Sequence, residues 1–441
     1  MSADTSPNNS NRSKRVLILA SKMGYQTRGF AEAAEKLGVG VVFGTDRCHQ
    51  LENPWGDDAL ALHFEKPREA AREIVEALGG AASENSVRAV LALGDRPTPA
   101  AAYAAEALGI EGNPPEAVEN CRSKLRQREV LRATSVPVPD FFAFETAEDL
   151  NGVVARVKFP CVVKPLSLSA SQGVIRANNR DEFVRAVQRI RSLLESPEIQ
   201  VLREPGLERL LVEQYIPGRE VAVEGLIDSG RLRVLAIFDK PDPLEGPFFE
   251  ESIYVTPSRL PGAAQLAIED CAASAIRALG LSSGPVHAEF RVNEDGPWVL
   301  EIAPRPIGGL CSRALRFGQQ GMSLEELLLR DALGMPGSDL EREGAASGVM
   351  MIPVPRSGIF EGVNGMEDAE RVPGVTEIRI TGRLHDYVAA WPEGSSYLGF
   401  IFSRADSAAA AEEALRGAHA RLNFRFSPRL PVEHPATGRI G

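Results

Sequence analysis

Two short runs between residues 286 and 303 constrain this chain more than any other part of it. In VHAEFRV, alternation puts Val286, Ala288, Phe290 and Val292 on one face of a strand and His287, Glu289 and Arg291 on the other. In WVLEIA, Trp298, Leu300 and Ile302 share one face and leave Val299, Glu301 and Ala303 opposite. The Glu294-Asp295-Gly296 turn between the runs suits a hairpin, which sets Glu289 directly across from Glu301. Facing carboxylates repel. A slip of one residue would mix the polar and apolar faces, so the pattern itself protects the pairing. A hard divalent cation removes the repulsion, and Mg2+ held by one or two carboxylates plus substrate phosphates is a common form of such a site. The alternative is a solvated sheet face that tolerates both acids at a small cost.

The rest of the composition fits a folded, mildly acidic chain. It has 441 residues, with 49 Lys and Arg against 60 Asp and Glu and a net charge of −11. At roughly 150 residues per domain, about three domains are expected. Apolar residues at 44% and charged residues at 25% exclude a disordered or fibrous chain. No Lys/Arg run supplies the clustered basic surface that nucleic acid requires, although a few local cations suffice for a small anionic ligand. Five widely spaced cysteines without a CxxC pair indicate neither a disulfide framework nor a zinc ribbon. The polar first 13 residues lack the apolar core of a signal peptide, and no apolar run of about 18 residues could span a membrane. A cytoplasmic protein is expected.

Along the chain, the buried run Val16–Ala20, a loop, an Ala-rich helix to Leu37 and a second strand Val39–Phe43 open a parallel sheet, continued at Ala89–Leu93 with Gly94-Asp95 after it. The loop SKMGYQTRG lacks the GxGxxG spacing of a dinucleotide site, so a structural or substrate-facing domain is the better reading. A helical segment beginning near Cys121 closes at Pro137-Val138-Pro139. Short strands follow at 160–164, 210–214, 220–227 and 231–239, then a helix over 263–279 and the hairpin. Beyond about residue 345, strands at 349–354, 375–381, 387–391 and 398–402 precede a helix over 408–422. The expected fold class is α/β and α+β.

Candidate ligand-binding groups lie at three places before the hairpin. Lys164 ends the strand PCVVK and opens the loop PLSLSASQG, where Ser169 and Gly173 offer a hydroxyl and backbone N–H groups to phosphate oxygens. Such loops are also ordinary solvated connections, and this one is no Walker A motif. Lys124 lies in CRSKLRQREVLR, which reads equally well as a solvated basic face. In LVEQYIPGRE, Glu213 with Gln214, Tyr215 and Ile216 could read an adenine edge, and Glu220 could accept from ribose hydroxyls.

Taken in order, Lys124, PCVVKP with its Ser/Gly loop, VEQYIPGRE, HAEFR and EIAPRPIGG resemble the ATP-grasp superfamily over roughly residues 15 to 335. The resemblance implies an N-terminal α/β domain similar to that of biotin carboxylases over 14–120 and an ATP-grasp domain of two α+β subdomains over 121–343. ATP would lie between the subdomains, with Lys124 and Lys164 on its phosphates, Glu213 to Ile216 at the adenine hinge and Glu220 on the ribose. Mg2+, with Mn2+ as a substitute, would sit on Glu289 and Glu301, and Arg305 would stabilise the transferred phosphoryl group or acyl phosphate. The usual Asn two residues after the second acid is Ala303 here, so one metal would be held by fewer protein ligands.

Residues 344–441, with GVMMIPVP, VPGV and YLGFIFSRA, resemble the small α+β domain that ends L-amino-acid ligases. That resemblance implies an ADP-forming ligase joining amino acids, or an amino acid and another amine, through an acyl phosphate. Its partners would be small molecules, with a possible homodimer. Glu251 in FFEESIYVTPSRLP is the carried-over acid for the substrate amino group, with Glu250 as its alternative. Gly308-Gly309 leave room for a bulky substrate group unless Trp391 or Phe400 refills it. Two other readings stay open: a carboxylase using bicarbonate, and a non-catalytic ATP-binding regulator motivated by Ala303.

Overall fold

The computed structural model describes residues 14–21, 25–46, 59–79, 86–336 and 339–428. Cys48 and the polar N-terminal tail lie outside them. The strand Arg15–Ala20 pairs in parallel with Gly40–Thr45 on one side and Ala89–Leu93 on the other, and Ala59–Ala61 extends the sheet at its edge. Helices cover both faces, which is why Val16 to Leu19 are all buried in one unbroken apolar run. The strand Ala89–Leu93 leads into a charged loop at Asp95, while residues 22–24 of the loop SKMGYQTRG lie outside the described residues.

A four-stranded antiparallel sheet forms the second unit, in the order Phe141–Glu145, Arg209–Gln214, Cys161–Pro165, Ile175–Ala177. The helix Arg180–Leu194 packs Phe183, Val187 and Ile190 against Val163 and Leu210. The helical segment expected near Cys121 is two helices, Pro115–Arg122 and Lys124–Ala133, broken at Ser123, whose hydroxyl caps the second by accepting from the Arg126 amide.

The third unit is an eight-stranded sheet in the order Gly296–Ala303, Gly284–Asn293, Arg219–Asp228, Arg231–Lys240, Ile253–Thr256, Ala346–Ile352, Gly399–Ala405, Val375–Ile380. The strand Ala346–Ile352 pairs with Ile253–Thr256, so this sheet runs straight through the boundary expected between residues 343 and 344. A separate three-stranded sheet joins Tyr387–Val388, Gly358–Asn364 and Asn423–Ser427. The strand expected over 387–391 is limited to Tyr387–Val388, because residues 390–394 turn away toward the four-stranded unit.

The hairpin departs from the alternation in one respect. Glu289 does face Glu301, and Ala288 faces Ile302, but Phe290 then faces Val299. Leu300 is the extra residue of a β-bulge. Val299 therefore joins Phe290 and Ile302 in the core, and Trp298 and Leu300 are only partly buried, reversing the expected faces. The cause lies on the neighbouring helix. Gly296–Ala303 is an edge strand, and its free groups are capped by Gln127, which bonds both the Ile302 amide and carbonyl, and by Arg128, which donates to the Leu300 carbonyl at 2.6 Å. No helix among the described residues is long and apolar enough to cross a membrane.

Candidate active site

The groups singled out in the sequence converge where the three units meet. One small cleft is lined by Asp95 and Thr98 from the N-terminal unit, Arg122 and Lys124 from the helix pair, Leu168 and Ser169 from the Ser/Gly loop, and Glu301, Ala303 and Pro304 from the end of the hairpin. Lys124 donates to the Leu168 carbonyl at 2.6 Å, and Arg122 to the Ser167 carbonyl at 2.8 Å, so both cations border the loop. Arg305 forks onto Asp95 at 2.8 and 3.2 Å. Burial opposes the Asp95 charge, but Arg305 outweighs it and holds that carboxyl at about 2.

Lys164 and Glu213 lie diagonally on adjacent strands, Glu213 opposite Val162 and Lys164 opposite Leu211, and both are buried. Lys164 Nζ lies 2.6 Å from Glu213 Oε2, and Arg128 Nε lies 2.7 Å from Oε1. Burial pushes the Lys164 pKa down, while Arg128 and Lys164 together keep Glu213 below the usual carboxylate range despite its burial. The ladder runs one residue past Glu213: Gln214 pairs with Cys161, its amide donates to the Asp140 carbonyl at 2.8 Å, and the Tyr215 amide donates to the Pro160 carbonyl at 3.1 Å. Tyr215 is sandwiched between Arg176, 3.9 Å from its ring centroid, and Arg291, 5.3 Å from it. Arg291 also donates to the Tyr215 hydroxyl, to the Ile216 carbonyl and to Glu220, which ties the hinge to the hairpin strand. Gly218 is required here, since a Cβ at φ +128° would lie 2.3 Å from the Val292 carbonyl oxygen.

A second cluster surrounds a residue that the sequence did not single out. Lys240 Nζ, almost fully buried, lies 2.9 Å from Glu220, 2.6 Å from Glu251 and 3.4 Å from Glu289. Those three carboxylates could hold a metal ion, and Glu301 is not among them. Glu251 also accepts from the Tyr254 hydroxyl at 2.5 Å. Burial raises the Glu251 pKa, whereas Glu250 has a buried Oε1 with no partner and is pushed by burial to about 7. Glu220 and Glu251 thus share one cation, while Lys124, Ser169 and Glu301 line the other side of the site.

His287, visible in the alternation but not assigned a role, links the two clusters. Its Nδ1 lies 2.5 Å from buried Glu224 and its Nε2 3.3 Å from Glu289, while Glu224 also accepts from the Ile307 amide. Burial disfavours the imidazolium, but the two carboxylates overcome this and raise the pKa to about 9. The stabilisation is complete below the unfolded value near 6.5 and is lost as the pH rises through 9. We expect the stability of the protein to fall by about 3 kcal/mol across that window. Chemical denaturation at stepped pH checks this, and His287→Gln should flatten the decline.

Space around Gly308 and Gly309 is divided. A Cβ on Gly309 would meet the Phe400 ring at 3.2 Å, so Phe400 fills that side, whereas nothing lies within 4 Å of a Cβ on Gly308.

Comparison with known proteins agrees with this layout. A family model for the ATP-grasp N-terminal domain matches residues 31–112, one for the ATP-grasp domain matches 157–314, and one for L-amino acid ligase C-terminal domain 2 matches 350–427. The crystal structure of an L-amino acid ligase from Bacillus licheniformis superimposes with a TM-score of 0.78 at 28% identity, covering 94% of this chain and 99% of that one. Alanine–anticapsin ligase of Bacillus subtilis is 25% identical over 299 residues, 64% of this chain and 62% of the relative. An uncharacterised protein of Sinorhizobium fredii is 25% identical over 323 residues, 72% of this chain and 64% of the relative. The match therefore spans just under two thirds of these curated relatives. In chain order, then, the three units match the models for an ATP-grasp N-terminal domain, an ATP-grasp domain and L-amino acid ligase C-terminal domain 2.

Proposed function

We propose that this protein is an ADP-forming carboxylate-amine ligase that joins amino acids, or an amino acid and another amine, through an acyl phosphate. The observation that carries the reading is the shared cleft of Lys124, Ser169 and Glu301, bounded by the Arg305–Asp95 pair. Cations, loop hydroxyl and carboxylate from three separate parts of the chain border one small space, a donor set that suits phosphate oxygens with a divalent ion. The C-terminal domain match and the L-amino acid ligase likeness favour amino acids as the joined substrates.

In this reading the substrate carboxylate attacks the γ-phosphorus of ATP, and ADP leaves. Lys124 and Lys164 attract the phosphates, and the hinge 213–216 receives the adenine. Glu301, opposite Glu289 at the mouth of the cleft, fits a hard cation by its donor chemistry, and Ala303 adds no third ligand. A divalent ion held there supplies charge neutralisation for the phosphates. Arg305, partly exposed and fully charged, balances the acyl phosphate, after which the amine displaces phosphate at the acyl carbon. No nucleophilic side chain is needed. The four described cysteines are buried and unpaired, and burial raises their thiols far from reactivity.

The test is phosphate release from ATP and Mg2+ across a matrix of paired amino acids, with mass analysis of the products. Amide formation stoichiometric with ADP is expected for at least one pair. ADP release driven by bicarbonate without any amino acid would replace this reading with a carboxylase. Within the productive pair, Glu251→Gln should chiefly raise the KM of the amino substrate, because it weakens uniform binding. A loss confined to kcat would give Glu251 another role.

A further inference from the structure

The C-terminal domain touches the Ser/Gly loop directly. Trp391 Nε1 donates to the Ala170 carbonyl at 3.3 Å, the Gly173 amide donates to the Pro392 carbonyl at 3.3 Å, and Gln172 Nε2 donates to the Glu393 carbonyl at 2.8 Å. Behind the loop, Arg189 on the helix of the same unit pairs with the Glu393 carboxylate, Nη2 to Oε2 at 2.9 Å. Lys124 and Arg122 hold the start of the loop through the Leu168 and Ser167 carbonyls, whereas its tip at 169–171 projects beyond them. Ser169 and Ala170 are exposed, and Ala170 and Ser171 hold φ near +53° and +54°, a left-handed conformation that non-glycine residues keep only where their surroundings impose it. On its other side the Trp391 ring stacks on Tyr397 with centroids 5.0 Å apart, and Tyr397 leads to Phe400, which packs beneath Gly309. An aromatic chain thus runs from the Ser/Gly loop to the segment that follows Arg305.

We propose that Trp391, together with Glu393, is a positioning residue that latches the Ser/Gly loop over the acyl phosphate and keeps water from it until the amine attacks. This rests on the ligase reading above. The acyl phosphate has two fates. In amide formation the amine nitrogen bonds to the acyl carbon, the C–O bond to phosphate breaks, phosphate departs with the electron pair, and the nitrogen releases a proton. In hydrolysis a water oxygen forms the new bond, the same C–O bond breaks, and the substrate acid is regenerated. The first yields one amide per ADP, and the second yields ADP and phosphate alone. A loop held from the C-terminal domain favours the first.

The test measures ADP and amide together in the full chain, with ATP, Mg2+ and a productive amino-acid pair, for wild type, Trp391→Phe and Glu393→Gln. Phenylalanine keeps an aromatic ring against Tyr397 and removes the N–H donor. Glu393 is largely exposed, so its variant preserves the fold. The hydrolysis branch, read as ADP formed in excess of amide, is expected to rise about five-fold over wild type in Trp391→Phe, the size of one lost hydrogen bond, and by a smaller factor in Glu393→Gln, which loses an exposed ion pair. Backbone hydrogen exchange over residues 166–174 should quicken by a similar factor. An excess of ADP over amide that stays at the wild-type level in both variants overturns the latch, whatever the exchange rates do. If wild type forms no ADP with any pair, the ligase reading fails instead, and exchange alone then decides: unchanged protection of 166–174 in both variants sinks the latch, and faster exchange supports it.

Discussion

Replacing Glu301 by Ala is expected to lower Mg2+-dependent ADP formation about a thousand-fold, equivalent to about 4 kcal/mol of transition-state stabilisation. The melting temperature should move by no more than about two degrees. The contrast follows from what each hairpin acid touches. Glu289 is bonded to His287 and lies beside Lys240, so its removal would damage the fold and the site together. Glu301 has no hydrogen bond or ion pair among the described residues and faces the cleft beside Lys124 and Ser169. Arg305 offsets part of its charge across the cleft, and the divalent cation proposed for this site would offset the rest during turnover. Steady-state ADP release at saturating ATP, alongside thermal melting, checks both halves. Near-normal turnover with an intact fold would remove Glu301 from the metal site.

The facing of Glu289 and Glu301 was legible because side-chain direction alternates strictly along a strand and only one register keeps the apolar set together. The bulge at Leu300 was not. Trp298, Leu300 and Ile302 form a regular apolar row, and what breaks it is the Arg128 guanidinium bonding the Leu300 carbonyl from 172 residues away. Local pattern carries no trace of such a contact. Arg128 and Gln127 themselves sat in a helix that read as a basic solvated face, yet they are buried because they cap a sheet edge.

Partners drawn from several strands were equally hidden. The three acids around Lys240 come from two other strands and the loop leading into a third, so no spacing announces them, whereas His287 and Arg291 could be seen sharing the Glu289 face. The continuation of the central sheet into the C-terminal strands turns on Ile253–Thr256, only four residues inside FFEESIYVTPSRLP, a stretch singled out for its acids and given no strand. The functional assignments for Lys124, Lys164 and Glu220 came from the ordered resemblance rather than from periodicity. For Glu220 the structure adds a constraint: both its carboxylate oxygens already meet cations, Lys240 and Arg291, so a ribose would share an acceptor that is engaged.

Lys240→Met should show what that buried cation does. Methionine matches the length of the lysine stem, so packing changes little, but Glu220, Glu251 and Glu289 are left with oxygens within 4.8 Å of one another and without the ammonium between them. Burial alone would depress the Lys240 pKa, and the three carboxylates instead raise it well above the ordinary value, so the ammonium stays charged throughout the working range. Removing one partner from a buried ionic cluster costs about 3–5 kcal/mol, because the remaining charges are uncompensated. The loss should depend on pH in a definite sense. Without Lys240 the carboxylates have folded pKa values above their unfolded ones, so the variant is least impaired near pH 5 and loses further stability as the pH rises through the raised values. Urea denaturation of wild type and variant at pH 5 and pH 8 measures this. A variant as stable as wild type at pH 8 would mean that the three acids are solvated independently and that Lys240 is not the counter-ion holding Glu251 and Glu289 in place.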